Sequence, residues 1–285
     1  MTLQLKFSVG LLCLAAATAL AANTSTPAAK AAAPAAAKPA SAAAAAAPSL
    51  PSLTAAQIVE RNVQARGGLD AWHAVTSMTL TGRMEAGGSA NPELPFVMKM
   101  KRPHKSRLEI RFNDKTAVQV YDGANGWKLR PFLDREQVEP YSAAEAKQAA
   151  AWDEMDGPLV DYEKKGTRVA LAGTESVDGH DCYQLKLTLK DGQVRNVWVD
   201  GKTFMERKMD GEPRRIDGRL HPVSIYVRDF KKQGAVSVAS VLETQVEGVN
   251  AKPHKLMVET VALNEAMGDA LFAKPQLPSG TPGRK

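Results

Sequence analysis

Between Met78 and Leu129 apolar and polar residues alternate with a period of two through successive runs, and a chain with that pattern is committed to half-buried β-strands. Met78, Leu80, Gly82 and Met84 interleave with Thr79, Thr81 and Arg83; Phe96, Met98 and Met100 with Val97, Lys99 and Lys101; Leu108, Ile110 and Phe112 with Arg107, Glu109 and Arg111. The next run, Ala117–Tyr121, leads through Asp122–Gly123–Ala124–Asn125–Gly126 into Trp127–Lys128–Leu129, the composition of a β-hairpin with a large aromatic at its returning edge. Each strand so predicted has one wet face and one apolar face, as an antiparallel sheet covered on one side requires.

Helical periods bracket and interrupt this pattern. Thr54–Ala55–Ala56–Gln57 has the form of a capping box, Ile58, Val59 and Val63 give an apolar stripe, and Gly67–Gly68 supplies the stop. A short second turn from Leu69 to Val75 carries Trp72. Ser142–Ala143–Ala144–Glu145 is a second capping box opening an Ala-rich helix towards Trp152 and Met155, and Asp156–Gly157–Pro158 leads a turn with Leu159, Val160 and Tyr162. Such an insertion is well placed to cover the open side of the sheet. Strand periodicity resumes at Val169 and continues through Tyr183–Leu189, Val197–Val199, Phe204–Met209, Val223–Phe230, Ser237–Val246 and Lys255–Leu263. The expectation is mainly β (α+β): about eleven strands and two helical regions forming one large sheet or partly closed barrel.

The ends have a different character. Lys6, the apolar run Phe7–Leu20 and the small-residue pattern Ala19–Leu20–Ala21 have the layout of a secretory signal peptide over residues 1–21. Residues 22–53 are almost entirely Ala, Pro, Ser, Thr and Lys, too poor in bulky apolar groups to offset ordering entropy, and predict a disordered leader. The folded body is expected over 54–276, with a disordered tail at 277–285. Lys6, Lys30, Lys38, Arg284 and Lys285 lie in these ends without an acid among them, so the body is nearly neutral and the net charge of +6 gives no argument for nucleic-acid binding. With the signal peptide removed, Cys182 is the only cysteine and no intramolecular disulfide forms.

Residue types that carry chemistry are scattered. The five histidines stand singly, no serine occupies a strand–turn–helix elbow, and Gly87–Gly88 and Gly123–Ala124–Asn125–Gly126 lie in hairpin turns rather than opening helices. The acidic run Asp153, Glu154, Asp156 reads as the solvated end of a helix. No enzyme activity, metal or cofactor is expected. What remains is apolar volume: Phe96, Met98, Met100, Leu108, Ile110, Trp127, Leu129, Phe132, Trp152, Met155 and Leu159 are candidate lining for a cavity that takes an acyl chain, with methionine's flexible thioether suiting an adaptable wall. Trp127 is expected where sheet and helical cover meet.

Several motifs in this order resemble one known group. They are Ile58–Val59 and Asn62 in a helix ending Ala65–Arg66–Gly67–Gly68, then Ala71–Trp72–His73–Ala74–Val75, Met98–Lys99–Met100–Lys101–Arg102–Pro103, Arg107–Leu108–Glu109, Tyr121–Asp122–Gly123 with Gly126–Trp127, and Asp156–Gly157–Pro158–Leu159–Val160–Asp161–Tyr162. Over roughly residues 54–275 the chain resembles the larger periplasmic members of the LolA/LolB/LppX-like superfamily. That resemblance implies an unclosed barrel of about eleven antiparallel strands with helices as a lid over an apolar cavity. It implies a monomeric periplasmic carrier of lipid or lipoprotein acyl chains, with envelope or outer-membrane proteins as further partners. Arg102, Arg107 and Arg111 are its candidates for the carrier's functional arginine. The competing expectation is an envelope sensor or protein-interaction module built on the same half-barrel.

Overall fold

The computed structural model describes residues 50–86, 92–131, 135–152 and 155–276; residues 1–49, 87–91, 132–134, 153–154 and 277–285 lie outside it. The expected signal peptide and tail therefore fall outside the described residues, as does the expected leader up to residue 49. Residues 50–53 do not behave as leader. Leu50 packs on Gly201, where an added Cβ would come within 2.3 Å of it, and the Pro51 carbonyl accepts a hydrogen bond from the Tyr183 hydroxyl at 2.8 Å.

Helix α1 (Ala55–Ala65) starts on the predicted capping box: Thr54 Oγ1 accepts from the Gln57 amide at 3.2 Å and Gln57 Oε1 accepts from the Thr54 amide at 2.9 Å. It ends where Gly67 and Gly68 take positive φ and the Gly68 amide donates back to the Val63 carbonyl. Gly67 is required there, because a Cβ would meet the Ala235 carbonyl oxygen at 2.1 Å. Helix α2 (Leu69–His73) follows and buries Trp72 completely.

The first strands are β1 (Ser77–Glu85), β2 (Glu93–Lys101), β3 (Lys105–Phe112), β4 (Lys115–Tyr121), β5 (Gly126–Arg130) and β6 (Arg135–Pro140), paired in sequence order as an antiparallel meander. After α3 (Ala143–Trp152) come β7 (Arg168–Val177), β8 (His180–Thr188), β9 (Val194–Asp200) and β10 (Glu206–Asp210). A separate ribbon of β11 (Arg214–Ile216) and β12 (Arg219–His221) precedes β13 (Val223–Gln233), β14 (Val236–Val246) and β15 (His254–Leu263). Thirteen strands form one sheet, in the order β6-β5-β4-β3-β2-β1-β15-β14-β13-β10-β9-β8-β7. With the ribbon the described residues hold fifteen strands against the eleven or so expected: β6 was hidden in charged residues, and β11 and β12, turned by Asp217–Gly218, had no apolar alternation to announce them.

The sheet does not close, and its outermost strands β6 and β7 are consecutive in the chain. The connection between them has to travel from one edge of the curved sheet to the other, and it does so across the concave side. This is why α3 and the following turns cover the cavity; topology imposes the lid. The concave face packs two apolar clusters. One gathers Ile58, Trp72, Leu159 and Val160 against Met78, Leu185, Val197 and Val236; the other joins Met84, Phe96, Leu108, Ile110, Leu256 and Val258.

Beyond β15 the chain turns back over the outer face of the sheet. Asn264 and Glu265 bond Thr76, Ser77 and Thr79, Lys101 reaches the Met267 carbonyl and Asp269, and Arg107 donates to the Leu271 carbonyl. The short 3-10 helix Asp269–Phe272 packs on β3 and buries Phe272 fully.

Candidate functional site: an apolar cavity under the connection

Between the two clusters lies a cavity of about 330 Å³. Cross-strand register builds its wall: Met78 faces Met100, Leu80 faces Met98, and Met98 in turn faces Leu108, so one side of β1, β2 and β3 presents a continuous apolar surface. β8, β9, β10, β13, β14 and β15 supply the opposite wall, with Leu187, Val197, Met209, Val227, Leu242 and Val258, and the connection contributes Tyr141, Ala149, Met155 and Pro158. Six methionines, Met78, Met84, Met98, Met100, Met155 and Met209, line the same space. A wall of flexible thioethers adapts to differently shaped guests better than one of branched side chains.

The candidate residues divide by face. Phe96, Met98, Met100, Leu108 and Met155 line the cavity. Ile110 shares the face of Leu108 but sits in the second cluster, outside the lining. Leu159 is fully buried in the first cluster beneath α1. Phe132 lies outside the described residues, and Trp152 ends α3 with its side chain outside them.

Trp127 and Leu129 are corrections to the expected lining. Register carries the concave face from Leu108 to Gln119 and from Gln119 to Lys128, so Lys128 points towards α3 while Trp127 and Leu129 point to the outer side. There they pair with Val120 and Val118, and Arg107, the partner of Val120, is held by the returning C-terminal segment. Alternation establishes which residues share a face; it does not say which face is concave.

Charged groups fasten the connection over the cavity. Lys128 forms a buried ion pair with Glu145, whose other carboxylate oxygen accepts from the Ser142 amide at 2.7 Å in the predicted capping box. Gly126 lies against the Tyr141 ring so closely that a Cβ would come within 1.9 Å of it. At the far end of the connection Asp156 is buried, which corrects its expected place on a solvated acidic face. Its carboxylate accepts from Arg102 at 2.6 Å and Lys165 at 2.8 Å, and its backbone carbonyl accepts from Arg66 at 2.7 Å. The Arg66 guanidinium lies over the Trp72 ring, 4.6 Å from its centroid, and pairs with Glu206 on β10 at 3.2 Å.

The charged groups in the cavity wall are Arg66 at the end of α1, Arg195 on β9, Glu206 and Asp210 on β10, and Glu212; Arg195 holds the Gly211 carbonyl and pairs with Glu212, and Asp210 accepts from Asn196. The arginines singled out beforehand lie elsewhere: Arg102 in the Asp156 network, Arg107 on the outer face, and Arg111 exposed at the end of β3. Sequence reading missed Arg66 because it follows a helix as an ordinary basic residue; only the close approach of α1 to β10 makes it part of the site. Cys182 is fully buried. Burial, reinforced by the nearby Asp200 carboxylate, pushes its thiol up to about 12, so it is not a nucleophile at neutral pH. Among the described residues no three His, Cys, Asp or Glu side chains gather as a metal site.

No family model matches the chain, and no curated protein matches it. Solved structures do. A LolA superfamily protein from Nitrosomonas europaea superposes with a TM-score of 0.53 at 18% identity, covering 78% of this chain and 99% of that one. The fold is LolA-like. A DUF1329 family protein from Desulfovibrio piger aligns equally well, with a TM-score of 0.53 at 16% identity over 77% of this chain and 97% of its own. In LolA-like terms, this chain is an unclosed antiparallel sheet with helices on its concave side, as the resemblance implied.

Proposed function

We propose that this protein is a non-enzymatic binding protein that carries lipid or lipoprotein acyl chains through the periplasm in the cavity beneath the β6–β7 connection. The observation that supports this most directly is the cavity itself: a methionine-rich apolar space, in the size range of about 300–1,000 Å³ common to small-molecule sites, held open between two packed clusters. Its charged groups are largely engaged with one another, which leaves apolar burial as the source of affinity. At about 0.8 kcal/mol per methylene, a sixteen-carbon chain contributes on the order of 10 kcal/mol before ordering costs. The LolA-like fold supports the same reading, as do the signal-peptide layout of residues 1–21 and the tether-like composition that follows.

The test is mass spectrometry under native conditions on protein purified from an envelope fraction, together with titration of a fluorescent fatty acid into delipidated protein. A copurifying acylated species, and saturable uptake at one site, are the expected results. Repeated absence of both would sink the proposal and favour the interaction-module alternative, which a stoichiometric envelope partner in a pull-down would identify.

A further inference from the structure

Met209 and Glu206 stand an odd number of residues apart on β10, so strict alternation would put them on opposite faces, yet both line the cavity. The register between β9 and β10 shifts between Glu206 and Lys208, and that irregularity turns Glu206 inward. Lys208 then lies over the Trp198 ring on the outer face, 4.2 Å from its centroid, and Arg207 reaches Asp200. The result is a buried carboxylate set into a mainly apolar wall, with Arg66 Nη1 3.2 Å from its Oε1.

The other oxygen of that carboxylate is unused. Glu206 Oε2 is buried and has no hydrogen-bond partner among the described residues, and Arg66 Nε is in the same state. Asn62 Oδ1 and Trp72 Nε1 also lack partners there, but neither residue lines the cavity. Buried polar side-chain atoms are nearly always bonded, so an unmet acceptor in the wall of a ligand-sized space marks where a ligand's polar group belongs. Charge says which kind of group. The wall holds the carboxylates of Glu206, Asp210 and Glu212 against the guanidinium groups of Arg66 and Arg195. A free carboxylate on the ligand would add a fourth negative group and has no proton to give to Glu206 Oε2.

We propose that the Arg66–Glu206 pair is a headgroup subsite that selects acyl chains ending in an uncharged amide or hydroxyl over free fatty acids, the ligand's N–H or O–H donating to Glu206 Oε2. The subsite rests on the reading of the cavity as an acyl-chain site and adds a preference that apolar burial cannot supply, because methylenes are buried alike whatever group ends the chain. A hydrogen bond to a carboxylate is stronger than one between neutral groups. The same amide or hydroxyl also carries an oxygen that can accept from the Arg66 guanidinium, so one uncharged group serves both members of the pair.

The experiment is displacement of a fluorescent fatty acid from the delipidated protein by ligands of one chain length: lauramide, monolauroylglycerol, laurate, and N,N-dimethyllauramide, which keeps the carbonyl but has no N–H. Lauramide and monolauroylglycerol are expected to displace the probe at about tenfold lower concentration than the other two. In Glu206→Gln the new carbonyl has to face Arg66, which leaves the amide nitrogen as a donor in the cavity. The order should then shift about tenfold towards laurate and N,N-dimethyllauramide. Equal displacement by lauramide and its dimethyl form in the wild type overturns the proposal whatever the variant does. So does an unchanged order in a Glu206→Gln chain that unfolds at the wild-type temperature. In both cases uptake of the probe leaves the cavity reading standing; a wild type that takes up neither the probe nor any of the four ligands overturns that reading, and the subsite with it.

Discussion

Asp156 belongs to the run Asp153–Glu154–Met155–Asp156, whose local composition reads as solvated, yet its carboxylate is buried and accepts from two basic side chains, Arg102 just past the end of β2 and Lys165 in the connection. Arg102 stands 54 residues before Asp156 and meets it only once the connection has crossed the sheet, so no local pattern carried that part of the signal. Asp156→Asn keeps the shape and the carbonyl that Arg66 uses but leaves Lys165 and Arg102 without their counter-charge. We expect a loss of about 3 kcal/mol, at the low end for a broken buried pair because the Arg102 side chain is 36% exposed and regains water. Urea unfolding at neutral pH measures it; an unchanged midpoint would mean that the network does not hold the connection. Asp200 makes a related prediction in pH. Burial alone would raise its carboxyl, but the Thr203 and Lys202 amides and the Arg207 guanidinium outweigh that and hold it at about 2, against 3.8 for the free group. A carboxyl lowered on folding contributes stability that is present above about pH 4 and lost as pH falls through 2. The acid limb of a stability–pH curve should therefore be steeper in the wild type than in Asp200→Asn, which is also less stable at neutral pH.

Among the elements, the hairpin from Ala117 to Leu129 shows where legibility stops. Its strands, its Asx-type turn with Asp122 Oδ1 accepting from Ala124 and Asn125, and its place just before the connection were all readable from residue order. The absolute face was not. An apolar residue is usually assigned inward, and here the outer side is also covered, by a C-terminal segment whose hold on the sheet comes from scattered polar contacts without periodicity. The concave contact of this hairpin is instead made by its glycine and lysine: Gly126 receives the Tyr141 ring and Lys128 receives Glu145. Gly126→Ala places a methyl inside that ring's space and has to push Tyr141, together with the start of α3, away from β5. A destabilisation of about 1–3 kcal/mol is expected, with faster proteolytic cleavage near α3. Gly268→Ala, where φ is −69° and no atom lies within 4 Å of the added methyl, should stay within about 0.5 kcal/mol of wild type. Equal effects of the two substitutions would show that the Gly126–Tyr141 contact does not fasten the connection.

For the molecule as a whole, strand order explains why this sheet keeps a space inside. The pairing of β1 with β15 brings the first and last strands together at the centre, which leaves β6 and β7 as free edges joined by a single connection. Three short helices and a few turns cover the concave side, and too few of their side chains enter it to fill it. The apolar alternation of the strands was legible because it is local; the residual volume was not, because it depends on how far the two edges curve towards each other. Met98 sits where this matters most, on β2 opposite Leu80 and Leu108, with all three side chains in the cavity wall. Met98→Trp puts an indole into existing space instead of into a packed core, so it should lower affinity for a fluorescent fatty acid at least tenfold, about 1.4 kcal/mol, without lowering the unfolding temperature. Trp127→Ala removes an aromatic from the outer face and should do the reverse: lower the unfolding temperature and leave affinity unchanged. The pair separates a ligand held in the cavity from one bound on the outer surface of the sheet, because only the cavity site makes the two variants respond in opposite ways. Wild-type affinity in Met98→Trp together with lost affinity in Trp127→Ala would move the binding site to the convex side.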